Sequence, residues 1–175
     1  MLLLSILVII TFTSILLIFI FSIINGISSM PTSSIVKDVL LQHLPAHPSN
    51  NIAELGAGFG TLAFPIAKKY SPTTVTAYEN SWIPYLFMRI KNTISCHQNL
   101  RIQRKNIYQV DLSRHDFLVC YLYPKAMTRL QDQFQKQLAP GTIIISHTFA
   151  LPNWKPYKII TVHDLYQTKI YFYLV

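Results

Sequence analysis

The chain is expected to fold as an α/β domain behind one N-terminal membrane helix. The domain itself should be a mostly parallel sheet, covered by helices on both faces, with a C-terminal antiparallel hairpin at one edge. Three observations predict this. Short apolar strand patterns alternate with helical patterns from residue 50 onward, which is the signature of crossover-connected parallel strands. A turn with glycines at alternate positions, Gly56, Gly58 and Gly60, follows the first of those strands. And from Met1 to Val36 there is no charged side chain at all.

The elements follow in order. Leu2 to Ile24 is an apolar run broken only by Ser5, Thr11, Thr13, Ser14 and Ser22. As a helix it would be roughly 34 Å long, enough to cross a hydrocarbon core of about 30 Å. A cleaved signal peptide would want a basic start, a shorter apolar stretch and small residues before the cut, and none is present. Residues 1–25 therefore read as a retained anchor and 26–49 as a tether with one helix, IVKDVLLQHL over 35–44, ended by Pro45, Pro48 and Asn50. In the domain, 50–175, NIAEL is a strand and Gly60 to Tyr70 a helix. VTAYE is the next strand, Trp82 to Ser95 an amphipathic helix and LRIQ a third strand. Asp116 to Leu122 and Thr142 to Ser146 are apolar enough to be buried strands, separated by a helix over Lys125 to Leu138. KIITV and KIYFY close the chain as a hairpin.

Composition narrows the function. With 51% apolar and only 13% charged residues, a chain of 175 has room for one domain and an unusually greasy segment. All 15 Lys and Arg lie beyond the apolar run, beginning at Lys37, so the domain is expected on the cytoplasmic side of a single-pass membrane protein. Its net charge of +8 suits an anionic bilayer surface beside which it is tethered. Cys96 and Cys120 offer no disulfide framework and read as reduced structural residues.

Parallel sheets bind ligands at the carboxyl ends of their strands, which puts ELGAGFG at the mouth. Glycines there let the backbone approach a ligand. Glu79, ending the second strand about twenty residues later, is placed to accept both hydroxyls of a ribose. The spacing is GxGxG, with Thr61 where a dinucleotide fingerprint has its third glycine, and no GxxxxGK[ST] loop is present for a triphosphate. Glu54 adds a carboxylate that disfavours a pyrophosphate and favours a cation. S-Adenosylmethionine (SAM) has a ribose, no phosphate, and a positive sulfonium and ammonium, and is the expected cofactor.

ELGAGFG followed by YEN resembles the first two motifs of the class I SAM-dependent methyltransferases, whose sheet is Rossmann-like. The order of an apolar span, MPTS, ELGAGFG, VDLSRHDFLVCYLYP and LAPGTIIISHTFALPNW is similar to the membrane-anchored protein lysine methyltransferases of mitochondria and their bacterial relatives. That resemblance implies that Glu54, Gly56, Ala57, Gly58 and Gly60 hold the amino-acid part of SAM. It assigns Glu79 with Asn80 to the ribose, and Asn106 with Ile107 to the adenine edge. Phe59 and Gly60 stand where members often carry Asp-Gly, and the segments between Asn106 and Asp116 and from Ala150 to Pro156 leave no room for full helices, so the domain is a trimmed version of its class. Tyr121, Tyr123 and Pro124 at the end of the fourth strand and His147 after the fifth lie where, by the same resemblance, the methyl acceptor would sit, with Phe149 as a further aromatic wall. Where methyltransferases acting on base amino groups carry an Asp or Asn, two prolines and an aromatic, this chain reads YLYP, which argues against a nucleic-acid substrate. The expected acceptor is a lysine of a membrane protein. A lipid or small-molecule acceptor, or a SAM-binding module without catalysis, are the alternatives.

Overall fold

The computed structural model describes residues 1–25, 31–46 and 51–175, with the side chains of residues 2, 18, 19 and 21–25 outside the description. The domain is built on a seven-stranded sheet. Its strands are β1 (Asn51–Leu55), β2 (Thr74–Glu79), β3 (Leu100–Arg104), β4 (Phe117–Cys120), β5 (Ile143–His147), β6 (Lys158–Thr161) and β7 (Lys169–Leu174). They lie in the order β3-β2-β1-β4-β5-β7-β6, parallel from β3 to β5, with β7 antiparallel to both β5 and β6. This is the expected Rossmann-like sheet with its hairpin at one edge. The central strands are nearly continuous apolar runs, as strands covered on both faces must be.

Among the described residues the α-helices are α1 (Leu2–Asn25), α2 (Ser34–His43), α3 (Ala63–Lys69), α4 (Trp82–Ser95) and α5 (Pro124–Gln137). Two apolar clusters form the core. One joins α2 and α3 to one face of the sheet through Leu40, Ile66, Val75, Phe117 and Phe172, and the other joins α5 to the opposite face through Leu118, Leu130, Phe134 and Tyr173. α2 is capped by the Ser33 hydroxyl, which accepts from the Val36 amide at 3.3 Å, and is pinned by Lys69 to the Leu41 carbonyl and by the Tyr70 hydroxyl to that of Pro45.

The differences from expectation have local causes. The helix expected from Gly60 begins at Ala63, because Gly56, Gly58 and Gly60 all take positive φ and hold the chain in turns until Leu62. α5 starts at Pro124, whose fixed φ and missing N–H suit the first helical position. Between Asn106 and Asp116, by contrast, the structure is as expected: no full helix forms, and a single 3-10 turn (Ile107–Gln109) fills the stretch. In α4 the amphipathic pattern is turned outward: only Pro84 and Met88 are buried, while Trp82, Ile83, Leu86, Phe87, Ile90 and Ile94 are exposed.

α1 runs 24 residues in backbone, but its side chains are described as a continuous run only from Leu3 to Leu17. Among the described residues no helix is long and apolar enough to cross a membrane. The tether expected over residues 26–49 lies partly outside the described residues.

Candidate active site

The parallel register lines up one residue from each of five strands along the carboxyl edge. Leu55 pairs with Tyr78 and with Cys120, Glu79 with Arg104, and Cys120 with Ser146. The residues at or just past those positions are Arg104, Glu79, Gly56, Tyr121 and His147. Four strand spacings of about 4.8 Å spread them over roughly 19 Å. One end of the row is polar and the other aromatic.

The centre is the glycine loop. The Gly56 and Ala57 amides both donate to the Tyr78 carbonyl at 3.0 Å, and the Gly60 amide donates to Ala57 at 2.8 Å, which folds the chain back before α3. Gly58 has φ +54, and a Cβ there would meet nothing within 4 Å. It is the open wall of the site. At Gly60 a Cβ would stand 2.6 Å from the Phe64 ring, so that glycine is needed for packing instead.

Two acids sit beneath the loop. Glu79 is buried, with Oε2 accepting from the Gly58 amide at 2.8 Å and Oε1 from the Ser81 amide at 2.7 Å. It therefore clasps the loop to the end of β2, and its remaining lone pairs are what a ribose could use. Burial raises its pKa, opposed by the Ser81, Gly58 and Asn80 groups that favour the charged form. Glu54 is also buried, its Oε2 has no hydrogen-bond partner, and its pKa is pushed up to about 8, first by burial and then by the charge of Glu79. A buried carboxylate oxygen without a donor suits a ligand bearing N–H groups and positive charge.

Beside β2 and β3 lies a cleft of ≈ 360 Å³ lined by Asn80, Arg104, Lys105, Asn106, Gln109 and Val110. Asn106 lines it while its Oδ1 accepts from the Tyr108 amide at 3.0 Å, capping the 3-10 turn. Ile107, expected on the adenine edge, has its side chain in the core with Val110 and Leu112 and only its main chain to offer a ligand. Arg104, Lys105, Gln109 and Val110 were not foreseen; only their nearness in sequence to Asn106 could have suggested them.

At the aromatic end the Tyr121 ring stacks on His147 with centroids 4.0 Å apart and lies nearly parallel to Phe149 at 6.4 Å. His147 is buried, and burial lowers its pKa to about 4, so it is neutral near pH 7. Its Nε2 lies 3.0 Å from the Thr32 hydroxyl and its Nδ1 3.1 Å from that of Thr148. Both ring nitrogens are thus engaged within the protein, which makes His147 a fixed wall for this pocket. The Ser146 hydroxyl donates to the Phe149 carbonyl at 2.6 Å and sets the turn that brings Phe149 back over Tyr121. Tyr123 caps α5, its carbonyl accepting from the Ala126 amide at 2.9 Å, and Pro124 is exposed at the first turn. Thr32 lies in the MPTS stretch, 115 residues from His147, and no spacing rule pairs them. No cluster of His, Cys, Asp and Glu among the described residues is arranged to hold a metal ion.

Comparison with known proteins gives a consistent picture. Residues 54–158 match the family model described as ANTKMT methyltransferase domain. The chain is 25% identical over 138 residues to a protein-lysine N-methyltransferase of Saccharolobus islandicus (strain REY15A), covering 77% of this chain and 84% of that protein. It is 26% identical over 110 residues to the adenine nucleotide translocase lysine N-methyltransferase of Mus musculus, covering 62% of this chain and 48% of the mouse protein, so it spans about half of that relative. Among solved structures it is similar to an RNA methyltransferase from Salinibacter ruber in complex with S-adenosyl-L-homocysteine, with TM-score 0.75, 21% identity, and 83% and 94% of the two chains covered. It is also similar to a precorrin-6y C5,15-methyltransferase from Geobacter metallireducens GS-15, with TM-score 0.64, 12% identity, and 83% and 88% covered. At these identities the structural likeness speaks for the fold, which carries unlike substrates.

Proposed function

The chain belongs to the ANTKMT methyltransferase domain family, and from that premise we propose that it transfers a methyl group from SAM to the side-chain amine of a protein lysine, held at a membrane by α1. The observation that carries the reading is the row along the carboxyl edge, in which an open glycine loop over two buried acids stands next to a neutral aromatic pocket. The residues present fit SAM. Gly58 leaves room for close backbone approach, the orphaned Glu54 oxygen suits its ammonium, and Asn80, Arg104, Lys105, Asn106, Gln109 and Val110 offer a cleft for its adenosine. When bound, SAM would supply an electrophilic methyl group, taken in line by a neutral lysine nitrogen as the methyl–sulfur bond breaks and the thioether leaves.

The protein's part is alignment and exclusion of water. A free lysine has a pKa of about 10.4 and must enter or become neutral to react. Tyr121 and Phe149, both half-buried, offer ring faces that desolvate the amine and also tolerate its cationic form. His147 adds no charge of its own at neutral pH, so no like charge opposes the incoming cation. The two curated relatives, both named as lysine N-methyltransferases, favour lysine over the RNA and precorrin of the structural neighbours.

The membrane part of the proposal rests on α1. It has 24 residues and no charge, which at about 1.5 Å each is roughly 36 Å of helix. Its large side chains, such as Leu3, Leu7, Ile10 and Phe12, are exposed. The hydroxyls of Ser5, Thr11 and Thr13 donate to carbonyls one turn back in the same helix, Thr11 to Leu7 at 2.7 Å and Thr13 to Ile9 at 2.6 Å, as a lipid environment requires. With every Lys and Arg beyond this helix, the domain faces the cytoplasm and a lysine of a membrane protein is the nearest target. Incubation of membranes with methyl-labelled SAM tests the whole reading. Label in a protein band that hydrolyses to methyl-lysine supports it, while label confined to lipid extract or RNA, or none, overturns it.

A further inference from the structure

α4 presents a face that the fold leaves uncovered. At roughly 100° per residue, its buried Pro84 and Met88 point one way, and Trp82, Ile83, Leu86, Phe87, Ile90 and Ile94 span an arc of roughly 140° on the opposite side. Arg89 and Lys91, both exposed, fall at the two margins of that arc. Exposed Thr93 is the one polar residue within that arc, and an apolar stripe this wide marks a contact surface.

We propose that this outer face of α4 is a membrane-docking surface, which lies in the headgroup region of a bilayer containing anionic lipid and holds the rim of the active site there. The charge on this part of the chain selects the occupant. From Asn80 to Val110 the basic residues are Arg89, Lys91, Arg101, Arg104 and Lys105, with no Asp or Glu among them. A helix with an apolar stripe bearing Trp and Phe, bordered by Arg and Lys, is the pattern of an interfacial helix, whose basic side chains reach back to the headgroups. A second copy of this chain would instead bring like charges together across the same face. Trp82, at the start of the stripe, is covered by the Arg104 guanidinium at 4.0 Å, and Arg104 lines the cofactor cleft. Phe87 meets Phe59 of the glycine loop edge-on at 5.4 Å. Docking α4 therefore places both the cleft and the loop at the bilayer surface. The inference rests on the membrane reading of α1 for the presence of a bilayer, and on α4 alone for the contact.

The chain has two tryptophans, so Trp154→Phe leaves Trp82 as the sole indole. The full-length W154F chain is reconstituted into vesicles of mixed neutral and anionic phospholipid whose acyl chains are brominated near the headgroup. Emission from Trp82 is expected to fall by about twofold or more relative to unbrominated vesicles, as for an indole at the headgroup boundary. The quenching should be lost in Leu86→Glu/Ile90→Glu, two exposed positions whose change leaves SAM binding and the melting curve in place. It should weaken in purely neutral vesicles at raised salt. Unquenched Trp82 in chains that remain with the vesicles overturns the docking of α4, including the case where a second copy shields it. Resistance to alkaline carbonate extraction is read on the same samples and tests the α1 anchor separately: chains that are quenched but extracted refute the anchor and keep the α4 contact.

Discussion

Gly58 and Gly60 share a left-handed backbone but differ in what a side chain would meet. A Cβ at Gly58 would enter open space, and one at Gly60 would strike Phe64. Gly58→Ala is expected to cost about 1–2 kcal/mol of strain, the usual penalty for that conformation, and to cut SAM affinity out of proportion to its effect on folding. Gly60→Ala should carry the same strain plus the clash, and unfold at lower denaturant than Gly58→Ala. Titration calorimetry and denaturant melts on both variants check the contrast; equal effects of the two on SAM affinity would remove Gly58 from the ligand wall. Both glycines were readable from their spacing, but their separate duties were not, because Phe64 meets Gly60 only once α3 has formed.

Glu54 makes a pH prediction of definite sign. Its pKa is raised from 4.5 to about 8, so the folded apo protein holds a proton that the unfolded chain has lost. The stability this group contributes is complete below about pH 4.5 and is lost as pH rises to about 8. His147 works the other way, its pKa lowered from 6.5 to about 4, but it changes stability only below about pH 6.5. Between pH 6.5 and 8 the apo protein should therefore lose roughly 2 kcal/mol through Glu54, at about 1.4 kcal/mol per pKa unit. Glu54→Gln should remove most of that slope in denaturant melts taken across the range. Because a cationic ligand favours the ionised acid, SAM binding should also release a proton, read by calorimetry in buffers of different ionisation enthalpy. A wild-type slope that persists in the Gln variant would locate the titration elsewhere.

At the scale of elements, α2 carries the part of the site that the sequence concealed. Each strand and helix was visible from its apolar period, and Glu79 from the end of its strand. The contact of Thr32 with His147 depends on α2 docking beside α3, a tertiary event that local patterns do not encode. That Ile107 offers a ligand only its main chain was hidden for a related reason: its side chain is buried in the core by the 3-10 turn that follows Asn106. Likewise α4 has the amphipathic pattern expected of it, though that pattern alone does not say which face the sheet will take. Leu40 is the residue that holds α2 down, fully buried among the apolar groups of α3 and the sheet. Leu40→Ala should cost about 2–5 kcal/mol of stability. If α2 positions Thr32, it should also lower methyl transfer at temperatures where the domain is still folded, with SAM affinity unchanged. Single-turnover rates alongside a SAM titration separate the two, and an unchanged rate would leave α2 with a packing role alone.

At the scale of the molecule, the approach of the tether to the active site limits where the acceptor can be. Asn25 ends α1 and Thr32 already touches His147, so only the seven Cα–Cα steps from residue 25 to residue 32 separate the apolar helix from the aromatic pocket. Fully extended, they reach about 25 Å at most. If α1 spans the bilayer, the pocket is confined to a thin shell over it, and lysines of membrane proteins near the surface are presented at high effective concentration. Deleting residues 1–30 retains Thr32 and every residue of the domain. The truncated chain is expected to bind SAM as the full chain does, while methylation of the natural target in cells falls by about tenfold or more, the loss of effective concentration that release into bulk implies. Mass spectrometry of lysine methylation in membrane and soluble fractions, from cells bearing the full or truncated chain, decides it. Loss confined to soluble proteins would show that the acceptor does not share the bilayer, and unchanged methylation in both fractions would show that α1 does not deliver the domain to its target.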